Sequence, residues 1–130
     1  IDIDAGQIPD LVPILAVVAA LAKGRTRIYH AERLRIKESD RLTAMRAGLA
    51  ALGAQIEERP DGLVIEGVSG LHGGQAAGYN DHRVVMALAI AALRADGPVT
   101  VTDAEAVRKS WPSFFEDYNA LGGNADVLMG

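Results

Sequence analysis

Lys37-Glu38-Ser39-Asp40-Arg41 puts two cations, two carboxylates and a hydroxyl into five consecutive residues. On a helix, Lys37 and Arg41 would stand at i, i+4 and Glu38 and Arg41 at i, i+3, so the three would share one side. Two chemistries fit that pattern. One is a clamp for an oxyanion, with a carboxylate beside it to move a proton. The other is a solvated helix start with an internal salt bridge and Ser39 or Asp40 as its cap. Three further clusters have the same character: Asp10, the run Asn80-Asp81-His82-Arg83, and Lys109-Ser110. Each falls where a helix is expected to begin. Backbone N–H groups there have no intrahelical partner and attract anions. Acids at such places serve as ordinary caps, whereas Lys and Arg oppose the helix dipole unless an anion is bound. The basic residues are therefore the informative ones, because they turn a helix start into a site for phosphate or carboxylate.

The elements that must position these residues can be read from periodicity. Residues 8–22 form a helix that is apolar nearly all round, with Pro9 and Pro13 in its first turns and Gly24 as its C-cap. A strand follows over 26–30. Residues 38–52 form an amphipathic helix with Leu42, Met45, Leu49 and Leu52 on one stripe, ended by Gly53. Strands at 55–58 and 63–66 flank Arg59-Pro60-Asp61-Gly62, a turn sequence. Residues 68–78 are glycine-rich and read as a mobile loop, lacking the Gly-Lys-Ser/Thr ending of a phosphate-binding loop. A second buried helix over 81–95, a strand over 98–102 and an amphipathic helix over 111–121 complete the chain. Trp111, Phe114, Phe115 and Tyr118 have helical spacing and read mostly as core. The fold class is α+β, with helices packed on mixed sheets.

The chain also repeats itself. Leu21-Ala22-Lys23-Gly24, a β-like run and Ala31-Glu32 are matched 73 positions later by Arg94-Ala95-Asp96-Gly97, a β-like run and Ala104-Glu105. Each unit continues with a lysine (Lys37, Lys109), a helix and a closing Leu-Gly, where the offset falls to 69. Residues 1–73 read as a first unit and 74–130 as a second, truncated one. The offset places Arg83 at the position of Asp10 and brings Lys109 near that of Lys37, so equivalent ends of two copies present different charges. Repeats often line one shared face with such ends.

Composition closes off other classes. The 130 residues are 49% hydrophobic and 23% charged, as in a globular chain and unlike a disordered one. Length argues for one domain or two small lobes. A net charge of −4 argues against general nucleic-acid binding, and there are no cysteines for disulfides, thiolate metal sites or nucleophiles. The apolar stretch 11–22 is too short to span a bilayer. His30, His72 and His82 lie far apart without ligand spacing, so no metal site is expected. No signal peptide is visible, and the start at Ile1 rather than Met reads as a cut piece of a longer chain.

Four blocks carry a resemblance: Ile8-Pro9-Asp10, Arg35-Ile36-Lys37-Glu38-Ser39-Asp40-Arg41-Leu42, Tyr79-Asn80-Asp81-His82-Arg83-Val84-Val85-Met86-Ala87, and Lys109-Ser110-Trp111-Pro112. In this order and over almost the whole chain, they resemble the C-terminal part of the 5-enolpyruvylshikimate-3-phosphate synthases. The resemblance implies repeated βαβαββ units of the enolpyruvyl transferase-like fold, here nearly two units of one lobe. It also implies transfer of the enolpyruvyl group of phosphoenolpyruvate to the 5-hydroxyl of shikimate 3-phosphate, releasing phosphate, in the cytoplasmic route to chorismate and the aromatic amino acids. No metal or organic cofactor, nucleic acid or membrane is implied.

By the same resemblance, Asp10 contacts the shikimate hydroxyl and acts as proton acceptor, and Glu38 handles the proton at the enolpyruvyl carbon. Lys37 binds shikimate 3-phosphate. Arg41, Arg83 and Lys109 bind phosphoenolpyruvate. Arg33 stands near a position where some relatives carry an asparagine that touches shikimate phosphate. The remaining substrate contacts fall to the N-terminal lobe of the same chain, so this fragment alone is expected to fold without catalysing. The alternatives are a relative of UDP-N-acetylglucosamine enolpyruvyl transferase and a non-catalytic anion-binding module.

Overall fold

A computed structural model describes residues 1–125. The chain begins with strand β1 (Asp2–Asp4), a 3-10 turn (Pro9–Leu11) and helix α1 (Val12–Leu21). Strand β2 (Arg25–Tyr29), a second 3-10 turn (Glu32–Ile36), helix α2 (Arg41–Ala51) and strands β3 (Gln55–Arg59) and β4 (Gly62–Glu66) follow. The rest is strand β5 (Leu71–Ala76), helix α3 (His82–Ala92), strand β6 (Ala95–Val101), a third 3-10 turn (Ala104–Lys109) and helix α4 (Phe114–Ala120). Among the described residues no helix is long and apolar enough to cross a membrane.

Two sheets result. One has the order β1-β2-β4-β3, with β1 parallel to β2 and the other pairs antiparallel; the second is the parallel pair β5-β6. Alternation explains the faces: Thr26 and Ile28 of β2 point inward and are buried, while Arg25 and Arg27 point out. Helices α1 and α2 cover the inner face of the four-stranded sheet, and α3 packs against both helices and on β5-β6. Their stripes meet in one core that includes Val12, Ala16, Leu42, Met45, Leu49, Leu63 and Leu88. The stripe Leu42, Met45, Leu49, Leu52 is buried throughout, as its spacing requires. A smaller cluster of Val85, Ala89, Ala106, Val107 and Phe114 seats α4. Of the aromatic quartet only Phe114 is buried, and Trp111 is 46% exposed.

Three expectations are corrected. The glycine-rich stretch is a strand over Leu71–Ala76 rather than a loop, paired with β6 through a register shift between His72 and Gly74. Glycine is what permits this pairing: a Cβ at Gly73 would come within 2.6 Å of the Pro98 carbonyl oxygen. The boundary drawn at 73/74 consequently falls inside β5. The short strand β1 was not anticipated, since three residues carry no periodicity. Finally, α2 begins at Arg41, so Lys37 to Asp40 lie outside the helix in a bent segment, and helix spacing is not what groups them.

With both strands in place the repeat is visible as structure. The order β1-α1-β2 with a 3-10 turn and α2 recurs as β5-α3-β6 with a 3-10 turn and α4, and in each copy the two strands are parallel neighbours.

Candidate functional site

The charged segment is fixed at both ends. Asp40 is the N-cap of α2, its Oδ1 accepting from the Thr43 N–H at 3.2 Å. Asp81 caps α3 in the same way, accepting from the Arg83 N–H at 3.0 Å. Of the acids that the sequence places at helix starts, Asp40 and Asp81 are caps and Asp10 is not. The Arg41 side chain, on the first residue of α2, is only 2% exposed. A buried guanidinium must be paired, and this one is paired three times. Its Nε donates to Asp81 Oδ2 at 2.9 Å, its Nη1 to Asp10 Oδ1 at 3.2 Å and its Nη2 to Glu38 Oε2 at 2.7 Å.

Asp81 is fully buried and also accepts from the Ser39 hydroxyl at 2.7 Å. Burial opposes its ionisation. The Arg41 and Ser39 hydrogen bonds, the Arg41 charge and the Arg83 N–H outweigh that and hold its carboxyl below the usual range. Arg41 and Asp81 therefore form an inner ion pair that joins α2 to α3. Asp10 and Glu38 stand on the outer edge of the same guanidinium and are partly exposed.

The other predicted residues lie around this hub. Lys37 Nζ is 3.8 Å from Asp10 Oδ1. Arg83 is half-buried at the start of α3, and its guanidinium makes no ion pair with any described residue. Lys109 Nζ donates to the Asn80 carbonyl at 2.7 Å, which places it beside the same helix start. The turn that presents this carbonyl has left-handed backbone at Tyr79 (φ 55°) and Asn80 (φ 52°). Such strain in non-glycine residues persists only where its surroundings enforce it; here Asp103 Oδ2 accepts from the Asn80 N–H at 3.0 Å. Thus Asp10, Lys37, Glu38 and Arg41 are brought together directly. Arg83 and Lys109 border them without touching them. Arg33 is exposed on the second 3-10 turn and pairs with none of these residues.

Three residues of these runs that the sequence reading leaves out of the site take part in it: Asp81, Ser39 and His82. His82 Nδ1 lies 3.2 Å from Glu38 Oε2 without meeting hydrogen-bond geometry, so this buried nitrogen has no hydrogen-bonded partner among the described residues. The adjacency of Asp81 and His82 to Arg83 was the available signal. Glu38, Asp81 and His82 also present atoms within 4.8 Å of one another, a possible cation-ligand trio that sequence spacing does not show. Its Asp81 oxygen is already committed to Arg41 and Ser39, and the Arg41 guanidinium also touches Glu38. A metal ion there would face a resident positive charge, so the donor set fits the guanidinium better than a metal ion.

The family model of EPSP synthase (3-phosphoshikimate 1-carboxyvinyltransferase) matches residues 1–118, a span that holds every residue of this cluster. This chain belongs to the EPSP synthase family. Among family members, the 3-phosphoshikimate 1-carboxyvinyltransferase of Clostridium acetobutylicum is 57% identical over 122 residues, covering 94% of this chain and 28% of that protein. The protein of the same name from Methanocella arvoryzae is 57% identical over 127 residues, covering 98% and 30%. The solved EPSP synthase from Acinetobacter baumannii superposes with a TM-score of 0.85 at 36% identity, over 90% of this chain and 28% of that one. The enolpyruvyl transferase NikO from Streptomyces tendae shares the fold, with a TM-score of 0.73 at 24% identity over 95% of this chain and 28% of that one. The chain thus spans less than a third of the length of these EPSP synthase relatives. Its α+β layers with a repeated β-α-β unit are those of the enolpyruvyl transferase fold.

Proposed function

We propose that this chain supplies one wall of an active site, in the C-terminal part of an EPSP synthase, that transfers the enolpyruvyl group of phosphoenolpyruvate to the 5-hydroxyl of shikimate 3-phosphate. The observation that carries the proposal is the buried Arg41 guanidinium. Asp81 holds its Nε side, leaving Nη1 and Nη2 as an outward fork. Without substrate, Asp10 and Glu38 occupy that fork. A carboxylate or phosphate of phosphoenolpyruvate would take their place, with Arg83 and Lys109 supplying further positive charge from the start of α3. Lys37, beside Asp10, would hold shikimate 3-phosphate.

The exchange releases Asp10 and Glu38 from the guanidinium, and the addition step needs Asp10 as the carboxylate and Glu38 as the protonated acid. The shikimate 5-hydroxyl oxygen forms a bond to the enol carbon of phosphoenolpyruvate, losing its proton to Asp10. The methylene carbon gains a proton from Glu38, giving a tetrahedral intermediate. Loss of phosphate, which takes the proton held by Asp10, with return of a methyl proton to Glu38 restores the double bond in the product and both side chains to their starting states. The proton balance closes with one acid and one base, and no further reactant enters. The cytoplasmic location and the division into two repeat units, the second beginning at β5, belong to the same proposal.

The deciding experiment incubates the complete protein with phosphoenolpyruvate and shikimate 3-phosphate and follows phosphate release. Turnover is expected with shikimate 3-phosphate and not when UDP-N-acetylglucosamine replaces it. Release only with UDP-N-acetylglucosamine would select the other enolpyruvyl transferase reaction. No release with either acceptor would leave an anion-binding module.

A further inference from the structure

We infer that Arg35 is the positioning residue that holds Lys37 and Glu38 in working register, an inference that rests on the enolpyruvyl-transfer reading. Arg35 lies on the second 3-10 turn and uses every guanidinium nitrogen. Nη1 donates to Asp40 Oδ2 at 2.9 Å and to Glu58 Oε2 at 2.8 Å. Nε donates to the Pro60 carbonyl at 3.0 Å and Nη2 to the Arg59 carbonyl at 2.8 Å. One side chain thereby ties three elements together: its own turn, the N-cap of α2 and the β3–β4 turn.

The placement of these bonds matters more than their number. Arg35 and Asp40 are the two ends of the stretch that carries Ile36, Lys37, Glu38 and Ser39. Residues 37–39 belong to no helix or strand. Ile36 is 84% exposed, so no apolar anchor fixes the stretch from within. Leu34, buried completely, anchors the chain just before it. The Arg35–Asp40 contact therefore closes a clasp across the base of the segment, while Ser39 to Asp81 and Glu38 to Arg41 fasten its far side. The clasp is itself braced, because Glu58 Oε2 also accepts from the Thr43 hydroxyl at 3.0 Å and Asp40 Oδ1 from the Thr43 N–H. Arg35 touches none of the residues assigned to substrate and acts through Asp40 and the backbone. The neighbouring carboxylates, Glu58 foremost, stabilise its charge further.

The test uses the complete protein carrying Arg35→Lys, which keeps the charge but cannot fork across four acceptors. Loosening Lys37 and Glu38 while Arg41 stays held by Asp81 should raise the KM for shikimate 3-phosphate about ten-fold and lower kcat about ten-fold, with the KM for phosphoenolpyruvate within about two-fold. Partial unfolding would lower kcat alone and leave both KM values. Glu58→Gln should give a smaller shift in the same direction, and Arg46→Gln, which loses only a 3.9 Å contact to Glu58, should give none. Hydrogen exchange provides a readout independent of turnover: amides of residues 36–40 should exchange about ten-fold faster in Arg35→Lys, with those of α1 and α3 unchanged. Unaltered exchange at 36–40, or a rise spread equally over α1 and α3, overturns the inference. So does an unchanged KM for shikimate 3-phosphate in an active protein. If the unsubstituted protein releases no phosphate, the enolpyruvyl reading fails and the exchange experiment still decides whether Arg35 holds the segment.

Discussion

Arg41 satisfies two demands at once. It closes the contact between α2 and α3 through Asp81, and it offers an outward fork that two carboxylates occupy. Removing it as Arg41→Met leaves Asp81 buried without its cation, which costs about 3–5 kcal/mol. The double variant with Asp81→Asn should recover part of that loss, because the stranded charge is gone. Urea midpoints of the two single variants and the double variant measure the coupling, and simple additivity would remove the inner pair from the account. Glu38 lies on the outer edge of the guanidinium instead, where the proposed reaction gives it the proton at the methylene carbon. Glu38→Gln preserves shape and most hydrogen bonding but cannot exchange the proton. Turnover of the complete protein should fall by roughly 10²–10⁴ with substrate affinity mostly kept. Near-normal turnover would reduce Glu38 to a partner of Arg41.

Among the elements, α3 carries the clearest pH signature. Its N-cap, Asp81, has a carboxyl held below the usual range in the folded chain, so the folded state binds that proton less readily than the unfolded one. Its contribution is fully present above the unfolded value of about 3.9 and is lost as pH falls through the lower folded value. Stability should be flat on this account above about pH 5 and should decline below about pH 4. Asp4, which accepts the Gly6 N–H, is also held low, but it is exposed and contributes less. Asp81→Asn should flatten the decline, as read by urea unfolding across that range. An unchanged acid slope would show that the cap and the Arg41 pair do not set it.

The whole molecule leaves apolar surface uncovered on the two repeat helices. Val18 of α1 is 58% exposed and Leu93, the C-cap of α3, is 54% exposed, with Leu11 just before α1 at 46%. A chain of this size can enclose a core, yet such faces favour association. The isolated 130-residue chain should therefore fold and sediment partly as a self-associated species at high concentration. It should not catalyse, because the charged cluster lies on one open face and cannot exclude water. Binding of either substrate should be millimolar or weaker, near −4 kcal/mol. Phosphate release at about 1 s⁻¹ or faster from this chain alone would show that a second wall is not required.

The sequence by itself determined the local elements and the cast of charged residues. Helical stripes such as Leu42-Met45-Leu49-Leu52 and the turn at Arg59-Pro60-Asp61-Gly62 are set by periodicity and by backbone preferences that act over a few residues. The 73-residue repeat was legible for the same reason, since equivalent turns use equivalent glycines. Tertiary structure alone decided what those elements could not. Strand β5 is a strand only because β6 lies beside it and glycines allow the approach. Lys37 and Glu38 face Asp10 and Arg41 not through helical spacing, since they precede α2, but because Arg41 is drawn inward by Asp81, 40 residues away. Buried charges must find partners wherever the fold supplies them, and that demand acts through space. It recruited Asp81 and Ser39, drew His82 up to Glu38, and left Arg83 at the edge of the cluster without an ion pair among the described residues.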